Sequence, residues 1–228
     1  MLEQLTKRHK VAMLKAFIFD LDGTLLDTIE DISISCNHVL KEFKRAPLEL
    51  SEYKRIVGKG SSQLFKDLLS NLSDKEYAKA KEIFEKHYKI QFKSHTKIYP
   101  EINKLLTFLK TKGYKLAILS NKPDSFVKLC AYIYLGEWEF DAVYGIGEGK
   151  KPKPDPSNVT KILKELQVQP NEAIFVGDTE IDVECAKRAD MRSIGVAWGF
   201  REKSVLIESG ADYIVDTPKD LIKMVGKL

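Results

Sequence analysis

The sequence predicts an α/β fold: a Rossmann-like, doubly wound parallel sheet core with an inserted α-helical cap domain. Three observations predict it. Five short apolar runs lack period-two alternation, as strands buried on both faces of a parallel sheet do. Amphipathic helical patterns separate them, which is the rhythm of βαβ units. One gap, between the first run and the second, is far longer than a single crossover needs and reads as helix.

The strand candidates, in order, are AFIF (16–19), LAIL (116–119), AIFV (173–176), SIGVAW (193–198) and YIV (213–215). Between the first two, Ile29, Ile32, Cys36, Val39, Leu40 and Phe43 recur at helical spacing. So do Leu64, Phe65, Leu68 and Leu69, and then Tyr77, Ala80, Ile83, Phe84 and His87. This stretch is read as a cap domain over residues 28–97, hinged at both ends. The core is then 1–27 together with 98–228. Within the core, residues 101–112 put Ile102, Leu105, Leu106 and Leu109 on one face, and Val159, Ile162, Leu163 and Leu166 repeat the pattern. Within the core, residues 1–14 have no assigned role and read as a frayed extension or a contact arm. An insert placed here sits over the carboxyl ends of the strands, where open α/β sheets bind ligands.

Composition removes several function classes. Hydrophobic residues make up 43% and charged residues 31%, ordinary for a soluble globular chain. The three cysteines, Cys36, Cys130 and Cys185, are odd in number and far apart, which argues against a disulfide framework and for a cytoplasmic protein. No apolar run reaches the ~20 residues that span a membrane. The net charge is +4, but the lysines are scattered and no nucleic-acid motif appears, so the surplus fits small anions rather than nucleic acid or membrane.

The chemistry lies at strand ends. Asp20 follows the buried run AFIF directly, an expensive place for an acid without a purpose. Asp22, two residues on, returns to the same side of an extended chain, and Gly23 permits a sharp turn. An Asp-Gly turn alone is common. The theme repeats, however: AIFV ends in Gly177-Asp178-Thr179-Glu180-Ile181-Asp182, with Asp182 one helical turn beyond Asp178. Asp178 or Thr179 could instead cap the helix, whose positive end favours acids. Crowded carboxylates call for a cation, and oxygen-only donors select Mg²⁺ rather than zinc. The four histidines and three cysteines show no ligand spacing. LAIL ends in Ser120-Asn121, where a hydroxyl and backbone N–H groups can grip phosphoryl oxygens, although a polar turn would look the same. In the proline-rich loop 149–156, Lys150 and Lys153 read as solvated linker.

Taken together, DLDGTL, SNK, KPKPDP and GDTEID, in that order and at strand ends, resemble the haloacid dehalogenase superfamily over residues 16 to 216. SNKP, GKKPKPDP, VGDTEID and the later AWGF look most like its phosphoglycolate phosphatase group. The resemblance implies a phosphatase acting on a small-molecule phosphate monoester, 2-phosphoglycolate favoured, through an aspartyl-phosphate. It implies Asp20 as nucleophile and Asp22 as general acid and base. It implies Ser120, Asn121 and Lys151 as phosphate ligands, Lys151 because it begins Lys-Pro-X-Pro-Asp, with Lys153 in the variable slot. Mg²⁺ would be held by Asp20, Asp178 and the backbone carbonyl of Asp22, with Asp182 behind them. The insert resembles that family's helical cap, and within it the loop Gly58-Lys59-Gly60-Ser61 is the candidate specificity contact. Lys59 could meet a substrate carboxylate and Gly60 could let the backbone approach; an ordinary interhelical turn is the competing reading. Glu101 departs from the pattern, standing where such proteins often carry glycine.

Alternatives on the same core are a pyrophosphatase, a sugar or nucleotide phosphatase, or a phosphoglucomutase-like enzyme whose characteristic cap segment is not evident. Asp22 argues against a dehalogenase, which needs no acid there. A non-enzymatic binding protein is disfavoured because every acid needed for turnover is present. The expected assembly is a monomer or homodimer.

Overall fold

The computed structural model describes residues 13–147 and 149–226; most of the 1–14 segment lies outside the described residues. The chain opens with β1 (Ala16–Phe19) and a two-residue strand β2 (Leu26–Asp27). Four helices follow: α1 (Ile29–Glu42), α2 (Leu50–Ile56), α3 (Ser61–Leu68) and α4 (Asp74–Gln91). The chain returns through β3 (Lys97–Ile98), which pairs antiparallel with β2. It then alternates: α5 (Ile102–Thr111), β4 (Lys115–Pro123), α6 (Asp124–Leu135), β5 (Ala142–Ile146), α7 (Ser157–Leu166), β6 (Ala173–Gly177), α8 (Glu180–Arg188), β7 (Arg192–Val196), α9 (Lys203–Glu208), β8 (Tyr213–Val215) and α10 (Pro218–Val225).

Six strands form one parallel sheet in the order β5-β4-β1-β6-β7-β8. The strand order reverses beside β1, which places the crevice of a doubly wound sheet at its carboxyl end. Neighbouring side chains leave the sheet on opposite faces, and both faces are covered. Phe17, Phe19, Leu116, Ile118, Ile174 and Val176 join one core with α5, α6 and the helical segment. Ala16, Ile18, Ala117, Leu119 and Phe175 join the other with α7 and α8. Two-sided burial is why these runs carry no polar alternation.

Several elements escaped the sequence reading, β5 and α2 among them, and one was drawn too long. β5 is an edge strand of mixed burial, with Val143, Tyr144 and Ile146 only half-buried, so it has no continuous apolar run. α2 is a short helix started by a Glu49–Glu52 capping box, with only Tyr53 buried. The SIGVAW run ends as strand at Val196, and the chain turns at Ala197 and Trp198. Glu101 takes a left-handed backbone (φ 66°), a conformation that favours glycine, the residue the resemblance leads one to expect there. The three cysteines are buried and unpaired, and no helix among the described residues is long and apolar enough to cross a membrane.

Candidate active site

Six acidic and basic side chains, Asp20, Asp22, Asp178, Asp182, Lys122 and Lys153, converge at the carboxyl ends of β1, β4 and β6. Asp20 lies one residue beyond β1 and is 5% exposed. Its Oδ1 accepts from the Leu21 N–H (2.7 Å) and pairs with Lys153 Nζ (2.9 Å). Among the described residues no donor reaches its Oδ2. Asp178 follows β6 and is fully buried; Thr24 Oγ1 donates to its Oδ1 (3.0 Å) and the Phe200 N–H to its Oδ2 (2.8 Å). Asp182, one turn into α8, accepts from Thr179 through N–H and hydroxyl and from Lys153 Nζ (2.6 Å). Asp182 thus serves the helix N-terminus and also anchors Lys153, a contact the sequence reading did not foresee.

Close backbone approach makes this crowding possible. Gly23 turns the chain with φ +85°, and a Cβ there would overlap the Asp178 carboxylate. A Cβ at Gly199 would strike Asp178 and the Gly23 carbonyl. Two glycines from distant segments therefore cradle one buried acid.

The electrostatics follow from burial. Burial pushes the Asp20 carboxyl up to about 7, with Lys153 opposing and Asp182 and Asp22 reinforcing the rise. Burial, then the Asp20 and Asp182 carboxylates, raises Asp178 well above the carboxylate range. Oxygen atoms of Asp20, Asp178 and Asp182 lie within 4.8 Å of one another. Three buried carboxylates offering only oxygen donors form a cluster able to hold a divalent cation. The Asp22 side chain stands outside that cluster: Lys122 Nζ holds both its oxygens, at 2.8 and 3.1 Å. If Asp22 serves a cation, the backbone carbonyl is the group left to do so.

Lys151 is corrected. Its side chain is 78% exposed and lies 3.7 Å from Asp155. Lys153 is the lysine of the site, 2% exposed, crossing the Phe175 ring to reach Asp20 and Asp182. Asn121 makes the difference. Its amide oxygen accepts from the Lys153 N–H (2.7 Å) and its amide nitrogen donates to the Lys153 carbonyl (3.1 Å). That pair of bonds pins Lys153 against the end of β4 and leaves Lys151 on the surface. The Asn121 amide also donates to the Gly58 carbonyl (3.0 Å), so its side chain is fully engaged and only its backbone remains for a phosphoryl group. Ser120 is buried, and its Oγ accepts only from the Lys122 N–H (3.3 Å).

A cavity of 60 Å³ opens on Asp20, Asp22, Ser120, Asn121 and Lys122 from the sheet side. The helical segment covers it with Ile32, Val57, Leu64, Phe84 and Tyr88, and with the backbone at Gly58 and Gly60. Gly60 therefore lines the cavity as expected, whereas Lys59 is exposed and does not. Arg201 ties the two sides: it pairs with Glu180 (2.9 Å) and donates to the carbonyls of Lys54 and Val57. The sequence reading missed Lys122, Tyr88 and Arg201. Lys122 was printed inside SNK and could have been found there; the other two depend on long-range folding. Of the histidines, His38, His87 and His95 sit in the helical segment, stacked on one another or bonded to Asp31, and supply no ligand to the carboxylates.

Comparison with known proteins agrees with this geometry. The haloacid dehalogenase-like hydrolase family profile matches residues 17–196. A phosphoglycolate phosphatase of Aquifex aeolicus is 34% identical over 93% of this chain and 97% of its own length. One from Nitrosospira multiformis is 31% identical over 96% and 99%. A solved structure from Lactobacillus delbrueckii subsp. bulgaricus, provisionally described as a phosphoglycolate phosphatase, superposes with TM-score 0.86 at 28% identity, covering 93% of this chain and 98% of that one. The chain belongs to the haloacid dehalogenase-like hydrolases.

Proposed function

We propose that this hydrolase cleaves a small-molecule phosphate monoester, with 2-phosphoglycolate the favoured substrate, through an aspartyl-phosphate on Asp20 and with Mg²⁺. One observation carries the reading: a buried carboxylate, anchored through Oδ1 by Lys153, lines a cavity beside Ser120. The names of the curated relatives support 2-phosphoglycolate as substrate.

In this mechanism Asp20 attacks phosphorus, and the P–O bond to the alcohol breaks. Asp22 gives a proton to the departing alkoxide, then removes one from the water that opens the aspartyl-phosphate, returning phosphate and free Asp20. Ser120 and the backbone beyond it hold phosphoryl oxygens. Lys153 neutralises charge on Asp20 and on the incoming phosphate. Mg²⁺, held by Asp20, Asp178 and the Asp22 carbonyl with Asp182 behind, would offset repulsion between carboxylate and phosphate. Residues 28–97 act as a cap that excludes water during turnover, with β2 and β3 as its hinge. The cytoplasm as the site of action is supported by three unpaired cysteines.

The test is a panel with Mg²⁺: 2-phosphoglycolate, pyrophosphate, nucleotides and sugar phosphates. Fastest release of phosphate from 2-phosphoglycolate supports the reading. Hydrolysis of none of them sinks it, and isomerisation of a sugar phosphate without hydrolysis replaces it with a mutase.

A further inference from the structure

We infer that Lys122 and Tyr88 form a subsite for a carboxylate carried by the substrate's leaving group. The inference rests on the phosphatase reading above and names the part of the pocket that selects among esters. The cavity is polar at one end, around Asp20, Ser120 and Asn121, and apolar or aromatic at the other, around Ile32, Leu64, Phe84 and Phe126. A second anionic group on a substrate has one source of positive charge there. Lys122 is the only cationic side chain lining the cavity among the described residues. Lys153 is committed to Asp20 and Asp182, and Arg201 to Glu180 and two carbonyls. Lys59 faces solvent.

Lys122 is built for such a task. Its side chain is 5% exposed and its ammonium lies 4.7 Å from the centre of the Tyr88 ring. It has three N–H donors, and Asp22 is its one anionic partner. A buried ammonium in an apolar surround binds an added carboxylate far more strongly than one in water. Tyr88 supplies the independent observation. It is 1% exposed, it lines the same cavity, and its hydroxyl, beside the Lys122 ammonium, finds no acceptor for its proton among the described residues. A buried donor without a partner is costly, so such a group beside a pocket marks where a ligand acceptor belongs. A carboxylate accepting from Lys122 and Tyr88 would satisfy both. Lys122 comes from the end of β4 and Tyr88 from α4, so this carboxylate would be read at the seam between sheet and helical segment.

The experiment compares two esters of the same skeleton: 2-phosphoglycolate and ethylene glycol monophosphate, in which CH₂OH replaces the carboxylate. The wild type is expected to prefer 2-phosphoglycolate in kcat/KM by about tenfold or more. Lys122→Met is expected to collapse that ratio to within about threefold through a higher KM for 2-phosphoglycolate, and Lys122→Arg to retain most of it. Tyr88→Phe, which removes only the hydroxyl, is expected to lower the ratio by about fivefold. Equal losses for both esters in Lys122→Met and Tyr88→Phe would mean that these side chains serve only Asp22 and packing, and the inference is then wrong. A wild type indifferent between the two esters overturns the subsite but leaves the phosphatase reading standing. Hydrolysis of neither ester, nor of any in the wider panel, removes both.

Discussion

Asp31 and Asp178 are both wholly shielded from solvent, yet they are opposite kinds of carboxylate. Asp31, on α1 at the root of the helical segment, is surrounded by donors. The N–H groups of His95 and Thr96, the Thr96 hydroxyl, the Gln91 amide and the His95 ring all reach it within 3.3 Å. Burial alone would raise its pKa, but the hydrogen bonds from Thr96 and His95 hold it below the ordinary value. Asp178 has two donors and two carboxylate neighbours, and its proton affinity rises. The first acid is complete within the protein and ties α1 to the strand that returns from the helices. The second has fewer donors, and with Asp20 and Asp182 it forms a cluster able to hold a cation. Burial of an acid is thus no sign of function; burial without enough donors is.

The comparison is tested most severely at Asp20. Asp20→Asn is expected to lower phosphate release by about a thousandfold or more, because no other side chain in the cavity can replace the nucleophile. The metal-free variant should melt no lower than wild type, since one repelling charge is gone. A variant that keeps a tenth of the activity would rule out the covalent route.

The two lysines of the proline-rich loop come next. Lys153→Met is expected to reduce kcat/KM about a hundredfold, as it strips the partner from Asp20 and Asp182. Lys151→Met should change it by less than about twofold, its ion pair with Asp155 being exposed. The reverse order of effects would restore the sequence reading of Lys151.

Asp31→Ala should act on stability instead. Leaving its donors unpaired is expected to cost about 2–4 kcal/mol in urea unfolding, with kcat of the folded protein held within about threefold. Loss of activity without loss of stability would place Asp31 in the chemistry and erase the contrast.

The smallest effect is on melting temperature against pH, and here the two acids have opposite signs. Without metal, folded Asp20 keeps its proton up to about 7, whereas the unfolded chain releases it near 3.8. The folded state binds more protons between those values, so Asp20 lowers stability progressively as pH rises through that window. Asp31 is depressed when folded, so its contribution is present above the unfolded value and is lost only as pH falls through the folded one. Mg²⁺ should therefore raise the melting temperature by a few degrees more near pH 8 than near pH 5.5, where it must displace protons. An equal rise at both pH values would show that Asp20 and Asp178 do not meet the cation.

How much of this was legible in sequence depends on the range of the interactions. The strands β1, β4 and β6 were readable because two-sided burial writes itself as an unbroken apolar run. The edge strand β5 was not, because a half-covered strand needs no such run. Asp20, Asp22, Asp178 and Ser120 were readable because each sits at the end of such a run. Gly60 reached the cavity wall while its neighbour Lys59 did not, a distinction that loop composition cannot carry.

The sequence by itself determined the class of fold, the helical insertion and the acids at the strand ends, since these are consequences of local periodicity and of charge beside buried runs. Only the tertiary structure decided which of two lysines, two residues apart, neutralises Asp20. That choice is made by the Asn121 side chain, which binds the Lys153 backbone across 32 positions of sequence. It also decided that the cation inside the cavity is Lys122 and that the hydroxyl beside it is Tyr88. Hydrogen bonds and burial between distant segments select among chemically identical side chains, and no local pattern records that selection.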